Sequence, residues 1–287
     1  FFESLLYVKN RVDLLTFKEV LFQVLRISLV ISAFLVLKKE LYMIGAILAL
    51  TLSTLLIILV LIFFYRRLFQ SSKGVTIKIL PKEKKQIHKF IFFLTIASLS
   101  GVFFSYFDTL VLGVFLPNTF VGFYKSAITL VISLAGLISF SGVFLNVFAK
   151  LKNQNMQSFF DKVLGVLSRI TLPLFFGTMV LSKYILVIIY GYDYLPAEGI
   201  LILLSPLVFL FTLSAMLANF LSARDCTKRL ATITLSSLFL NFVLNLIFIK
   251  VLLPHSELYA TMGVAIATVL SWLFYFFFGL WVLKKDL

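Results

Sequence analysis

The chain is built from long runs of apolar residues separated by short polar stretches. Each run is long enough for the roughly 20 apolar residues that a bilayer-spanning helix needs. Apolar and polar residues do not alternate within the runs, as they would in the strands of a membrane β-barrel. The pattern predicts eight transmembrane helices, with approximate cores at Val20–Leu37, Leu41–Phe64, Phe90–Leu116, Phe120–Phe148, Val163–Leu181, Ile200–Ser222, Leu230–Leu253 and Tyr259–Leu283.

Composition agrees with this pattern and excludes a soluble fold. Of the 287 residues, 61% are hydrophobic and only 13% are charged, whereas about 25% of a soluble globular chain is charged. The predicted fold class is therefore an all-α membrane protein, a polytopic helical bundle.

The net charge of +14 could indicate a nucleic-acid partner, but the positions of the charges argue against one. Lys and Arg residues cluster between the apolar runs, as loop charges that set topology do. Nineteen lie on one side of the predicted bundle and four on the other. The richer side is expected to be cytoplasmic, so both chain ends are expected to be cytoplasmic, in an inner or plasma membrane.

One polar connection, Tyr65–Lys89, is much longer and more basic than the others. It leaves two predicted helices before it and six after it. A domain boundary is the natural interpretation of such a linker. The predicted organisation is residues 1–64 as one pair of helices, 65–89 as a basic cytoplasmic loop and 90–287 as a six-helix unit.

Charged residues deep inside predicted spans are costly and are candidates for function. Asp108 precedes Pro117 by nine residues and Lys125 follows it by eight. At about 1.5 Å per residue both should lie roughly 12–13 Å from this turn, at matching depth in neighbouring helices. They could form a structural ion pair, or line a polar cavity that contacts substrate, and the two interpretations are compatible.

Further polar residues mark other candidate positions in the spans. Arg26 and Arg169 lie nearer the cytoplasmic ends of their helices, where they could extend to the interface or offer a guanidinium to an anionic ligand. Asn219, Asn241 and Asn245 belong to stripes of small and polar residues on single helix faces. Such stripes either pack helices closely or line a cavity.

No enzyme signature is present in the sequence, which contains no nucleophile elbow, zinc-binding helix or phosphate-cradling glycine loop. A single cysteine and two histidines make a metal site improbable. The chain is therefore predicted not to be an enzyme and to use no cofactor. Any transport would draw on an ion gradient, on the substrate's own gradient or on a partner.

Four stretches of sequence carry a family resemblance. Phe107–Gly113 resembles the segment of helix seven that carries the family's aspartate, and Val121–Ala127 resembles the "vGxYxxA" opening of helix eight. Tyr190–Ala197 resembles the "fGxxYxxA" loop between helices nine and ten. Asn241–Leu246 resembles the "NxxxN" stretch of helix eleven, and Met262–Thr268 resembles the "GaAiAT" opening of helix twelve. In this order and spacing, the chain is similar to the polysaccharide-exporter and oligosaccharide-flippase family of the multidrug/oligosaccharidyl-lipid/polysaccharide exporter superfamily. Val264 is bulkier than the usual small residue there, a difference that bears on packing.

The resemblance implies a transporter of twelve helices in two lobes of six, of which this chain would form helices five to twelve. It implies export of a polyprenyl-linked saccharide by alternating access, with membrane lipid around it and glycosyltransferases or a polymerase as partners. The substrate's pyrophosphate would suit cationic residues such as Arg26, Lys125 and Arg169.

Other functions stay open on sequence alone. A cation-coupled multidrug antiporter of the same fold would need an acidic cavity, but three intramembrane cations accompany one anion. A membrane glycosyltransferase or ligase would need large polar loops, and the outer loops are too short. A non-transporting membrane assembly subunit is the third alternative.

Overall fold

The computed structural model describes residues 12–69, 81–138, 147–148 and 153–284. Within them the chain forms α-helices joined by short turns, with two 3₁₀ segments at Lys39–Leu41 and Tyr192–Ala197. The helices are α1 (Val12–Val36), α2 (Tyr42–Phe69), α3 (Pro81–Phe115), α4 (Asn118–Ile138), α5 (Asn153–Tyr190), α6 (Glu198–Leu204), α7 (Pro206–Ala223), α8 (Thr227–Leu252) and α9 (Glu257–Lys284).

Eight of these described helices, all except the short α6, are long and apolar enough to cross a membrane. The prediction of an all-α polytopic membrane protein is confirmed. Many large apolar side chains are exposed, among them Leu35, Val114 and Ile188. In a bilayer such side chains meet lipid, which is as apolar as they are, so exposure carries no hydrophobic cost.

Several helices differ from their predicted bounds. The run predicted as one span, Ile200–Ser222, is divided at Ser205 into α6 and α7, because Pro206 lacks the N–H that would continue the helical ladder. Helix α5 is much longer than Val163–Leu181 and contains Pro173. Helix α2 runs to Phe69 and α3 begins at Pro81, so both ends of the predicted basic loop Tyr65–Lys89 are helical. Residues 70–80 lie outside the described residues, as do Lys9, Arg11 and residues 139–146 of the fourth predicted span.

The chain divides into two units, Phe1–Lys78 and Ile79–Leu287. In the first unit α1 packs against α2. The buried face of α2 carries Ala49, Ser53 and Ile57, which are four residues apart and therefore lie on one side of the helix. The predicted assignment of these two helices to a larger lobe remains a prediction.

The second unit has a continuous core in which α7 is the most buried helix. Helix α8 packs extensively against α9 and α3, and α7 packs against α5, α9 and α4. Small residues lie where two helices approach each other most closely. A Cβ added to Gly263 on α9 would lie 2.9 Å from the Cβ atom of Phe248 on α8, so only glycine fits between these two helices without a backbone shift.

The loop after α5 shows why its glycine is needed. Gly191 has φ +87°, a conformation that side chains with a Cβ rarely adopt. The turn brings Tyr194 against the rings of Tyr190 and Phe123, with centroids 5.1 and 5.8 Å away. Ala197 is fully buried at the end of the turn. The predicted "fGxxYxxA" stretch is thus a packing device that fixes the loop to α4 and α5.

Candidate functional site

The charged residue buried most deeply within the second unit is Asp108, and its position follows from the periodicity of α3. Phe104, Asp108, Val111 and Leu112 are all buried, and their spacings of three and four place them on one helix face. The carboxylate is only 3% exposed. A buried charge of this kind must be compensated by hydrogen bonds or by an opposite charge.

One oxygen of the Asp108 carboxylate is held by two hydroxyl groups. The Tyr124 hydroxyl, from α4, donates to Oδ2 at 2.8 Å. Thr268 Oγ1, from α9, lies at the same distance from Oδ2 and 3.1 Å from the Tyr124 hydroxyl. Thr268 Oγ1 is also 2.8 Å from the carbonyl of Val264, so its single hydrogen is shared between two acceptors.

The other oxygen of the Asp108 carboxylate is held by two amides from α8. Asn241 Nδ2 donates to Oδ1 at 3.0 Å and Asn245 Nδ2 at 2.7 Å. The two asparagines lie four residues apart and therefore on one helix face. Asn245 Nδ2 also donates to Asn241 Oδ1 at 3.1 Å, which orients both amides.

These five residues, which we call the Asp108 cluster, join four helices: α3, α4, α8 and α9. Four donors reach the two oxygens of one carboxylate, and hydrogen bonds to a charged acceptor are stronger than neutral ones. The cluster therefore compensates the buried charge without a cation from a lysine or arginine. One acceptor is left over, since the buried Asn245 Oδ1 has no hydrogen-bond partner in the described part of the chain.

The chemistry available to the cluster is that of oxygen ligands. Carboxylate, amide and hydroxyl oxygens can hold a proton or a hard cation. No group of three or more His, Cys, Asp or Glu side chains comes together among the described residues. In the present geometry the carboxylate oxygens are engaged by donors, so ion binding would require the two amides to rotate.

A cavity of about 380 Å³ lies beside the cluster, between α3, α4, α7 and α9. We call it the Trp272 cavity, after the residue that is central to its aromatic wall. The Trp272 ring is stacked on Phe104 with centroids 4.6 Å apart, meets Phe211 edge-on at 4.6 Å and contacts Tyr275 at 5.3 Å. Asp108 borders the cavity from one side.

The predicted ion pair between Asp108 and Lys125 is not formed. Lys125 is half-buried, and its Nζ lies 5.1 Å from the centroid of the Tyr106 ring. Successive helix residues point about 100° apart because 3.6 residues make one turn. With Tyr124 on the inner face of α4, Lys125 is directed elsewhere, although its depth in the helix matches that of Asp108.

The remaining sequence candidates are distributed over several helices. Asn241 and Asn245 join the cluster, whereas Arg26 on α1 and Arg169 on α5 are exposed and Asn219 on α7 is half-buried. None of these last three contributes to the Asp108 cluster. Their predicted roles at a substrate cavity stay predictions.

Sequence reasoning missed two members of the cluster, Tyr124 and Thr268. Both stand in stretches that carried the family resemblance, and Tyr124 directly precedes Lys125. The arithmetic that placed Lys125 level with Asp108 places Tyr124 there equally well. The sequence prediction chose the charged Lys125 as the partner of Asp108, whereas the partner on α4 is the hydroxyl of Tyr124.

Comparison with known proteins matches the chain to a protein family and to a curated protein. A family described as polysaccharide biosynthesis protein matches residues 8–198. A curated protein of Haloferax volcanii, described as a probable low-salt glycan biosynthesis flippase, is 27% identical over 195 residues. That alignment covers 66% of this chain and 40% of the relative, so the chain spans well under two thirds of the relative's length. No solved structure matches the chain.

Proposed function

The chain belongs to the polysaccharide biosynthesis protein family, and on this premise we propose that it exports a lipid-linked oligosaccharide or polysaccharide precursor across the membrane. The observation that carries the proposal is the family match over residues 8–198. The Haloferax volcanii relative supports it, because that protein is described as a flippase of glycan biosynthesis. The substrate proposed here is a polyprenyl-linked saccharide, handed over by glycosyltransferases or to a polymerase.

The geometry of the second unit supports alternating access as the mechanism. Transporters of this kind rock one helical body against another around a central site, which requires each body to keep its internal packing. The Asp108 cluster ties α3, α4, α8 and α9 together by hydrogen bonds to one carboxylate. Dissociating α4, α8 or α9 from α3 would deprive a buried charge of at least one donor, so the four are expected to move together.

The exposed cations fit an anionic substrate. Arg26 and Arg169 are exposed and Lys125 is half-buried on described helices. A guanidinium binds two phosphate oxygens at once, while the lysine acts as a point charge. We propose that these three residues face the pyrophosphate of the substrate at successive stages of export.

The proposed setting is a cell membrane with both ends of this chain in the cytoplasm. The excess of Lys and Arg in one set of loops supports this orientation. The two units are proposed to belong to different lobes of a larger transporter, with the basic linker between them on the cytoplasmic side.

A cation-coupled multidrug antiporter is the second candidate, and the Trp272 cavity favours it. The cavity is aromatic, mostly apolar and bordered by a carboxylate, features that suit a hydrophobic ligand of drug size. The two functions differ in what accumulates when transport fails, namely lipid-linked saccharide or drug.

The test uses cells that lack the native gene and carry the full protein or the Asp108→Leu variant. We expect the deletion to retain lipid-linked saccharide on the inner leaflet, the full protein to restore its exposure outside and Asp108→Leu to restore little. Asp193→Asn, in the exposed turn between α5 and α6, is the matched control, and membrane abundance is measured for every variant. Normal saccharide export by the deletion strain, with increased drug sensitivity, would establish the antiporter instead.

A further inference from the structure

We infer that the Trp272 cavity binds the hydrocarbon chain of a membrane lipid. The inference concerns binding alone, and it rests on the proposed function only for one of two sources of such a chain, the polyprenyl carrier. The acyl chains of the surrounding bilayer are the other source. The shared chemistry is a flexible apolar chain, and the experiment below separates the two.

Most polar groups in the cavity wall are already engaged. The Asp108 carboxylate accepts four hydrogen bonds from the cluster. Ser105 Oγ donates to the carbonyl of Gly101 at 2.9 Å and Thr212 Oγ1 to that of Val208 at 3.0 Å. A ligand in the cavity cannot recruit these donors without breaking a bond that the helices need.

Two polar groups of the wall are left for a ligand. The Ser214 hydroxyl is buried and has no partner within the described residues, and in the same part of the chain no acceptor pairs with the Trp272 indole N–H. A sugar ring or a pyrophosphate would give up many bonds to water on entry and find only these two free donors among the described residues of the wall, which is unfavourable. The wall therefore disfavours the saccharide end of a lipid-linked substrate.

The rest of the wall is suited to hydrocarbon. Phe104, Phe211 and Trp272 present apolar surface, and Ile128 and Ala135 of α4 complete it. The volume of about 380 Å³ lies within the range of pockets that hold ligands. Apolar space of this size is unfavourable when empty, and water gains little there with so few partners. A hydrocarbon chain fills it and, in the described part of the wall, leaves only the Ser214 hydroxyl and the Trp272 indole N–H without a partner.

The cavity is open to a chain from outside. Three lining residues, Ser105, Ile132 and Gly136, are exposed and mark its mouth between α3 and α4. Gly136 has open space beside it, because a Cβ added there meets no atom within 4 Å. A leucine at position 136 would therefore obstruct the entrance without colliding with the protein.

The experiment uses Trp272 as the reporter. The chain contains two tryptophans, so Trp281→Phe leaves Trp272 as its single tryptophan. The 287-residue chain is placed in nanodiscs with a polyprenyl phosphate brominated at its double bonds or, separately, with phosphatidylcholine brominated in its acyl chains. Bromine quenches tryptophan fluorescence on contact, and Gly136→Leu is compared with Gly113→Leu, an equally open and exposed glycine that does not line the cavity.

We expect quenching to be about twofold stronger in Gly113→Leu than in Gly136→Leu, because only the latter obstructs a ligand-sized pocket. Ala215→Leu, which fills the cavity from α7, repeats the comparison should Gly136→Leu fold poorly. A difference with the polyprenyl probe identifies the carrier as the source, and one with the acyl probe identifies the bilayer. Equal quenching in all variants with both probes overturns the inference, whatever the export assay shows.

Discussion

Lys125 Nζ lies 5.1 Å from the centroid of the Tyr106 ring, while the adjacent Tyr124 donates its hydroxyl hydrogen to Asp108. Two consecutive residues of α4 thus serve different partners on α3. The lysine is held by the negative face of an aromatic ring, at a half-buried position. The tyrosine is a fully enclosed part of the hydrogen-bond network.

This arrangement predicts opposite sensitivities at neighbouring positions. Tyr124→Phe should lower the free energy of unfolding by about 1–3 kcal/mol, because it removes one donor from a buried carboxylate. Lys125→Met should cost no more than about 0.5–1 kcal/mol, the size of a partly exposed cation–π contact. Thermal unfolding in detergent measures both. A larger loss for Lys125→Met than for Tyr124→Phe would contradict the assigned partners.

The Asp108 cluster should also show coupling between its members. Asp108→Leu removes the acceptor that four donors share, and Asn245→Leu leaves the carboxylate with one donor fewer, so each single change should destabilise. The double variant Asp108→Leu/Asn245→Leu should be more stable than the sum of the two losses implies, by about 0.5–3 kcal/mol. Unfolding curves of the four proteins complete the cycle, and additive losses would show that the two residues act separately.

Whether a glycine-to-alanine substitution stabilises or destabilises the protein should depend on the space around the glycine. Gly263→Ala should destabilise the second unit, because its new Cβ would lie 2.9 Å from the Phe248 Cβ atom, which cannot turn away. Gly177→Ala, where a Cβ meets no atom within 4 Å, should be neutral or stabilising by about 0.5–1 kcal/mol through helix propensity. The unfolding midpoints of the two variants give the comparison, and equal shifts would refute the close approach of α8 and α9.

Topology can be tested by labelling from outside the cell. In a Cys226→Ser background, a cysteine replacing Asp193 should react with a membrane-impermeant maleimide, and one replacing Lys84 should react only after permeabilisation. The Lys and Arg asymmetry of the loops is the physical reason. Labelling of Lys84→Cys in intact cells, with Asp193→Cys protected, would reverse the orientation.

The fold was predictable because one strong physical signal determines it. Runs of about 20 apolar residues are stable across a bilayer only as helices, so the number of spans followed from the sequence. The division of α6 from α7 was harder to predict. Ser205-Pro206 stands within an otherwise uninterrupted apolar run, and a proline can either kink a helix or end it, depending on which neighbours pack around it.

The site was predictable in part. Asp108 was conspicuous as a carboxylate within an apolar span, and the asparagines one turn apart on α8 were identified as part of a stripe that either packs helices closely or lines a cavity. The direction of the Lys125 side chain around the helix axis could not be predicted. Counting residues from the turn at Pro117 gives the depth of Lys125 in the membrane but not the side to which it points. Tyr124 and Thr268 are amphipathic residues that occur in any membrane helix, so only the packing of four helices shows that they converge on Asp108.

The separation of the cluster's residues along the chain has a consequence for biogenesis. Asn241, Asn245 and Thr268 follow Asp108 by 133, 137 and 160 residues. At roughly 5–20 residues per second, the ribosome needs about 8–32 s to deliver the last of them. During that interval Tyr124, only 16 residues away, is the one donor of the cluster that emerges soon after the carboxylate. Until then the nascent α3–α4 hairpin offers the carboxylate only one of its four donors, and a chain truncated before Thr268 is expected to be recognised by quality-control proteases as an unfinished product.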